Sequence, residues 1–102
     1  MVIHNKLVRD RIPEIIAAES RVAEIRVLDH SSFIDELRIK LVEEVTEYGK
    51  SGDTTELVDV LEVLYALASN DGVSRDDLEN MRLRKLDERG GFDLRLFLVE
   101  SS

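Results

Sequence analysis

The stretch from residue 33 to residue 68 constrains the fold most, because it contains two helical patterns joined by a short polar turn. In the first pattern apolar residues recur every three or four positions, which is typical of a helix with one buried face, and the second pattern is apolar over most of its length. A turn this short joins only antiparallel neighbours, so the sequence predicts a helical hairpin. The two patterns contain KLVEEVTEY (residues 40–48) and ELVDVLEVLYALA (residues 56–68), with the acids Glu43, Glu44 and Glu47 in the first and Glu56, Asp59 and Glu62 in the second.

Length and composition indicate a single domain that spans residues 1–102. Hydrophobic residues make up 43% of the 102 residues and charged residues 35%, a balance typical of folded globular chains. One hydrophobic core fits this length, and a helical hairpin of this size would gain stability from a partner subunit. We therefore expect a mainly α fold: a helical hairpin or bundle with a small β element.

The strong negative charge limits the partners that the chain can bind. Fourteen Lys and Arg residues against 22 Asp and Glu residues give a formal net charge of -8. This charge repels nucleic acids and anionic membranes, so the sequence predicts that neither is a partner. It also repels free nucleotides, so a nucleotide enzyme of this composition needs a divalent cation and a local group of basic side chains.

Cysteine usage and hydropathy favour the cytoplasm. The sequence contains no cysteine, which fits a reducing compartment and excludes a disulfide framework. The first residues contain no apolar run of the signal-peptide kind, and no segment reaches the roughly 18 apolar residues of a spanning helix. We therefore expect a soluble cytoplasmic protein.

Two short elements are predicted before the hairpin. Asp10 is a candidate cap for a helix from about Arg11 to Ser20, since the Pro13 ring is tolerated in a first turn. Apolar and polar side chains alternate over residues 22–28, which predicts a strand.

Capping residues predict where the hairpin helices begin and end. Ser32 is the expected cap of the first helix, and Gly49 its left-handed stop. Asp53 is the expected cap of the second helix, which ends near Ser69. This second helix is apolar on nearly all sides, which predicts a central, buried position.

A further helix and a second strand are predicted after the hairpin. Ser74 is the expected cap of the helix, which ends at Gly90 and Gly91. Residues 92–99 alternate again and predict a strand. Two strands alone are marginal in water, so we expect them to pair and to lie on the helices or on a partner chain.

The acids of the hairpin allow two interpretations, a metal site or a solvated surface. Glu44 and Glu47 are one helical turn apart, as are Glu56 and Asp59, so each pair projects from one side of its helix. Facing pairs would repel each other unless a cation lay between them, and hard oxygen ligands suit Mg²⁺ or Mn²⁺. The alternative is a solvated face of surface helices. Spacing alone leaves both interpretations open. It likewise leaves open whether Glu62 is an extra ligand or an exposed residue.

The basic residues also allow two interpretations. Lys40 lies one turn before Glu44, and further basic residues cluster on the last helix. They can form ordinary surface ion pairs, or they can hold phosphate oxygens beside a metal. The two histidines, His4 and His30, lack a second ligand at zinc-binding spacing. The basic residues on the last helix are Arg82, Arg84, Lys85 and Arg89.

The paired motifs resemble a known family. Glu44-x-x-Glu47 followed by Glu56-x-x-Asp59 resembles the ExxE and ExxD motifs of the MazG-like, all-α nucleoside triphosphate pyrophosphohydrolases. The segments NKLVRDRIPEII (residues 5–16) and RKLDERGGF (residues 84–92) resemble a phosphoribosyl-ATP pyrophosphohydrolase-like subgroup. The resemblance implies Mg²⁺-dependent hydrolysis between the α- and β-phosphates of a nucleoside triphosphate. The products would be a nucleoside monophosphate and pyrophosphate.

The resemblance also implies roles for individual residues. The metal ligands would be Glu44, Glu47, Glu56 and Asp59. Glu47, with Glu43 behind it, would be the base that takes a proton from water. The residues that hold phosphates would be Lys40, Lys85 and Arg89, with Lys6 and Arg9 as possible additions.

Family members usually assemble as homodimers or homotetramers, which agrees with the apolar second hairpin helix. Nonstandard or damaged nucleotides are one expected substrate class. Two alternatives are phosphoribosyl-ATP hydrolysis and a non-catalytic, oligomeric module that binds nucleotide or metal.

Overall fold

The computed structural model describes residues 2–102 and contains four α-helices. Met1, the first residue of the predicted domain, lies outside the described residues. The predicted mainly α fold is confirmed. None of the four helices combines enough length with enough apolar character to span a bilayer. In chain order the helices are α1 (Ile12–Ala18), α2 (His30–Ser51), α3 (Thr54–Asn70) and α4 (Arg75–Arg89).

Helices α2 and α3 pack together as a hairpin, but α2 is longer at both ends than predicted. The Asp29 side chain accepts a hydrogen bond from the Ser32 backbone N–H at 2.8 Å, so the helix begins before the predicted cap. Gly49 remains helical, and the chain leaves the helix at Gly52, where φ is 63°. This left-handed conformation is one that glycine tolerates. Ser32 and Gly49 are therefore not the helix ends.

The predicted caps of α3 and α4 are confirmed. Asp53 accepts a hydrogen bond from the Thr55 backbone N–H at 2.9 Å. Ser74 Oγ accepts one from the Asp77 backbone N–H at 3.1 Å. Gly90 ends α4, as predicted. These caps satisfy backbone donors that have no partner within the helix.

The core of the chain is small and lies between α2 and α3. Leu37 of α2 and Val63 of α3 are the buried hydrophobic residues of the part from 2 to 102, with 3% and 7% of their surface exposed. On α3, Leu57, Val58 and Leu61 remain exposed. The prediction that α3 is buried on nearly all sides is therefore wrong for one chain, because only α2 and α4 pack against it.

Helix α1 is shorter than predicted and packs against no other helix. Arg11 occupies its N-cap position without a side-chain capping bond, so Asp10 does not cap it. Pro13 lies in the first turn, as predicted. Arg11 instead forms an ion pair with Glu14 at 3.1 Å.

Neither predicted strand forms, and the described residues contain no strand elsewhere. A strand needs a partner for its backbone N–H and C=O groups, and residues 22–28 do not hydrogen-bond to residues 92–99. Near the start of the second segment, the Arg95 N–H donates to the Phe92 carbonyl at 3.1 Å. Arg95 also has a φ of 56°, so a turn interrupts the extended pattern. The predicted two-stranded element is therefore corrected to two irregular segments.

Candidate metal centre

Three carboxylates meet where α2 and α3 face each other near the hairpin turn. Glu44, Glu56 and Asp59 each offer an oxygen atom, and these atoms lie within 4.8 Å of one another. All three residues are half-buried. Oxygen ligands on opposite sides of one Mg²⁺, Mn²⁺ or Ca²⁺ ion lie about 4 to 5 Å apart, so one cation could contact all three. We call these three residues the acid group.

Glu47, the fourth predicted ligand, is exposed and does not belong to the acid group. It still contributes to the electrostatics of the site. Desolvation raises the pKa of Glu56, and the neighbouring charges of Asp59, Glu47 and Glu44 raise it further. The hairpin thus concentrates negative charge around Glu56, as expected where like charges converge.

Lys40 contacts the acids of α2. Its Nζ lies 3.4 Å from Glu44 Oε1 and 3.4 Å from Glu43 Oε2. Lys6 Nζ donates to the other oxygen of Glu43 at 3.4 Å. Partial burial acts to raise the pKa of Glu43, but Lys40 and Lys6 outweigh it and hold the pKa below its ordinary value. Glu43 is therefore stabilised as an anion and makes a poorer proton acceptor.

Arg9 contacts the acids of α3. Its Nη2 donates to Asp59 Oδ1 at 3.2 Å. The segment before α1 thus supplies both Lys6, which contacts Glu43, and Arg9, which contacts Asp59. Spacing along the sequence could not indicate this contact, because 50 positions separate Arg9 from Asp59.

Lys85 and Arg89 are not brought to the acid group within one chain. Both are exposed on α4, which contacts α3 but not α2. Neither takes part in the ion pairs formed among residues 2–102. Of the predicted phosphate-binding residues, Lys6, Arg9 and Lys40 are the ones that border the acids.

Glu62, whose role the sequence left open, does not join the acid group. It is exposed and lines a shallow cavity of about 310 Å³ between α3 and the start of α4. The Arg75 guanidinium carbon lies 4.8 Å from the ring centre of Tyr65 in the same cavity, a cation–π contact. This contact was not predicted, because the turn between the two helices decides which side chains meet there.

The arrangement combines two kinds of chemistry on one side of the hairpin. Carboxylate oxygens are ligands for a hard divalent cation. Arg and Lys donors beside them complement anionic oxygens such as those of phosphate. Lys40 contacts Glu44 and Arg9 contacts Asp59, and both acids belong to the acid group. A cation and a polyphosphate could therefore be held at the same place.

Comparison with known proteins yields no match: no family model, curated protein or solved structure matches this chain. The functional assignment therefore depends on the acid group and on the residues around it.

Proposed function

We propose that this protein is a nucleoside triphosphate pyrophosphohydrolase, an acid anhydride hydrolase that uses Mg²⁺ or Mn²⁺. It would cleave between the α- and β-phosphates and release a nucleoside monophosphate and pyrophosphate. The observation that carries the proposal is the convergence of Glu44, Glu56 and Asp59 from two helices to within 4.8 Å. The resemblance of the ExxE and ExxD spacing to the MazG-like enzymes supports the same function.

The chemistry of the donor set fits a divalent cation. All three groups are carboxylates, which Mg²⁺ and Mn²⁺ prefer over nitrogen or sulfur ligands. The pKa of Glu56 is raised by desolvation and by its acidic neighbours, so the group carries more negative charge than Lys40 and Arg9 balance. When bound, a divalent cation supplies positive charge to the polyphosphate and makes water more acidic.

A residue of the chain itself would then accept the proton of the attacking water. Glu47 lies next to the acid group but outside it, so its carboxylate is free to accept a proton from the attacking water. Glu43 is the weaker candidate for this role, because Lys40 and Lys6 keep its pKa low. We therefore assign the base to Glu47.

Three basic side chains would orient the polyphosphate. Lys40, Arg9 and Lys6 each contact a carboxylate at 3.2 to 3.4 Å. All three are charged donors that can exchange a carboxylate oxygen for a phosphate oxygen without leaving the site. This exchange would bring the phosphates beside the acid group and would free the acids for the cation.

The proposal extends to assembly and location. A homodimer or homotetramer is supported by the exposed apolar residues of α2 and α3, which a second chain would cover. The cytoplasm is the expected location, because it holds the pool of nucleoside triphosphates.

Pyrophosphate release tests the proposal. Purified protein is incubated with Mg²⁺ and a panel of standard and damaged nucleoside triphosphates, together with phosphoribosyl-ATP, and the products are separated. We expect a monophosphate and pyrophosphate in equal amounts, and loss of both with Glu44→Gln. Orthophosphate as the sole primary product would contradict cleavage at the α–β bond. Mg²⁺ binding without turnover of any substrate would favour the non-catalytic module instead.

A further inference from the structure

The C-terminal segment, residues 92–99, is rich in apolar side chains that the rest of the chain does not cover. Six of its eight residues are large and hydrophobic, and each has 79% to 96% of its surface exposed. Such a segment is unfavourable in water and prone to self-association unless it is covered. These residues are Phe92, Leu94, Leu96, Phe97, Leu98 and Val99.

A second uncovered apolar surface lies on the hairpin, and we call it the apolar hairpin face. On α3 its residues lie roughly 80° to 140° around the helix axis from Glu56, and on α2 roughly 100° to 160° from Glu44. The apolar face and the acid group are therefore on different sides of the hairpin. The face consists of Val42 and Val45 of α2 and Leu57, Leu61 and Leu64 of α3, with exposures of 39% to 66%.

Helix α4 leads into the C-terminal segment, whose six apolar side chains are too exposed to be packed on the hairpin of the same chain. It contacts α3 but not α2, and it ends at Gly90, just before the segment. The radius of gyration is 17.9 Å and the longest dimension is 59 Å. A compact domain of this length has a radius of gyration of about 13 Å. The longest helix, α2, accounts for only about 33 Å of the long dimension. The chain is therefore less compact than a typical domain of its length, and both apolar surfaces stay open to a partner.

We propose that the C-terminal segment of each chain docks on the apolar hairpin face of a second copy, so that two chains exchange these segments. Beyond the turn at residues 92–95, residues 96–99 are four consecutive apolar residues, so the docked segment presents apolar side chains to the face. The exchange is reciprocal and gives a symmetric dimer with two equivalent contacts.

The sizes of the surfaces agree with this assembly. The six apolar side chains of the segment expose on the order of 700 Å². Each partner of a stable interface buries about 800 Å². A second chain is the favoured occupant, because within one chain the segment and the apolar hairpin face both stay exposed and do not cover each other. The proposal is independent of nucleotide hydrolysis, since neither surface includes a residue of the acid group.

Disulfide trapping tests the exchange, because the chain has no cysteine of its own. One preparation carries Leu96→Cys and another carries Val42→Cys; the two are mixed, allowed to exchange and oxidised. We expect a covalent dimer that contains one chain of each kind. Its yield should exceed by about ten-fold that of Leu96→Cys mixed with Asp87→Cys, an exposed control on α4, because docking raises the local thiol concentration.

Three outcomes would overturn the proposal. The first is preferential trapping with Val27→Cys, which would place the segment against the extended region before α2. The second is a disulfide that forms only within a chain carrying both cysteines, which would mean docking on its own hairpin. The third is no trapping above the control.

Molecular mass in solution provides a second test with the full-length chain. Leu96→Asp should shift the protein from dimer to monomer in light scattering, because a charge cannot be buried on an apolar face. Ser101→Asp adds the same charge just beyond the segment and should leave the dimer intact. A dimer that survives Leu96→Asp unchanged would also overturn the proposal.

Discussion

The guanidinium of Arg9 lies 3.2 Å from Asp59 Oδ1, although 50 positions separate the two residues in the chain. This ion pair places a positive charge at the edge of the acid group. In the proposed function, Arg9 and the cation compete for the same carboxylate until a polyphosphate offers Arg9 other oxygens.

Arg9→Met should therefore have opposite effects on metal and on nucleotide. Without nucleotide, Mg²⁺ should bind about three-fold more tightly, because a competing positive charge is removed; the effect is modest since the pair is solvent-exposed and screened by salt. With Mg²⁺ present, nucleotide binding should weaken. Calorimetry at low ionic strength measures both affinities. Arg21→Met, which removes an ion pair to Glu19, is the matched control and should change neither. A fall in Mg²⁺ affinity would contradict the competition.

Asp59→Asn should abolish most metal binding and turnover, whereas Glu62→Gln should not. The two residues are one turn apart on α3, but only Asp59 contributes an oxygen to the acid group. We expect Asp59→Asn to weaken Mg²⁺ binding by about 10- to 100-fold. Pyrophosphate release should fall by at least about 100-fold. Glu62→Gln should stay close to wild type in Mg²⁺ titration and in rate. Equal losses in both variants would mean that the general charge of the helix, and not the acid group, determines binding.

Glu56→Gln should stabilise the fold in metal-free buffer at neutral pH. The pKa of Glu56 is raised by desolvation and by the charges of Asp59, Glu47 and Glu44, so the ionised form is unfavourable in the folded state. A raised pKa gives stability that is present below the unfolded value of 4.5 and is lost as pH rises through the folded value. The neutral amide removes this loss.

Thermal unfolding in EDTA measures the effect of Glu56→Gln. The variant should unfold at a higher temperature than wild type at pH 7, and the difference should shrink below pH 4.5, where Glu56 is protonated in both states. Mg²⁺ should stabilise the wild type more than the variant. A variant that is less stable than wild type at pH 7 in EDTA would show that Glu56 makes a favourable contact as an anion.

Asp29→Ala should lower the melting temperature by a few degrees, and Ser32→Ala should have a smaller effect. Asp29 is the N-cap of α2, whereas Ser32 donates its backbone N–H to the capping bond and adds a weaker side-chain contact to Asp29. The hydrogen bond from Ser32 lowers the pKa of Asp29, so the cap contributes stability above the unfolded value of 3.8. This contribution is lost as pH falls through the lowered folded value.

Unfolding curves of the two variants at several pH values check the cap. The deficit of Asp29→Ala should be full at pH 7 and should close as pH falls well below 3.8, while Ser32→Ala should show a smaller deficit at pH 7. A larger loss of stability in Ser32→Ala than in Asp29→Ala would show that Ser32 is the functional cap.

Local signals in the sequence were sufficient for the helices and for part of the site. Periodic apolar residues predicted the hairpin, and Asp53, Ser74 and Gly90 marked helix ends correctly, because capping depends on only a few neighbouring residues. The i, i+3 spacing of Glu56 and Asp59 likewise predicted that they project together. At the start of α2, Ser32 is the predicted cap, whereas the structure uses Asp29.

Only the tertiary structure decided which distant groups meet. The sequence by itself determined four helices and placed acids on both sides of a tight turn. Helix packing then selected Glu44 and left Glu47 outside the acid group, and the path of the N-terminal segment brought Arg9 to Asp59. Tertiary structure also left residues 22–28 and 92–99 unpaired, because a strand exists only where another backbone completes its hydrogen bonds. Helices satisfy their backbone groups locally and can be predicted locally, whereas strands and sites depend on contacts between segments far apart in the chain.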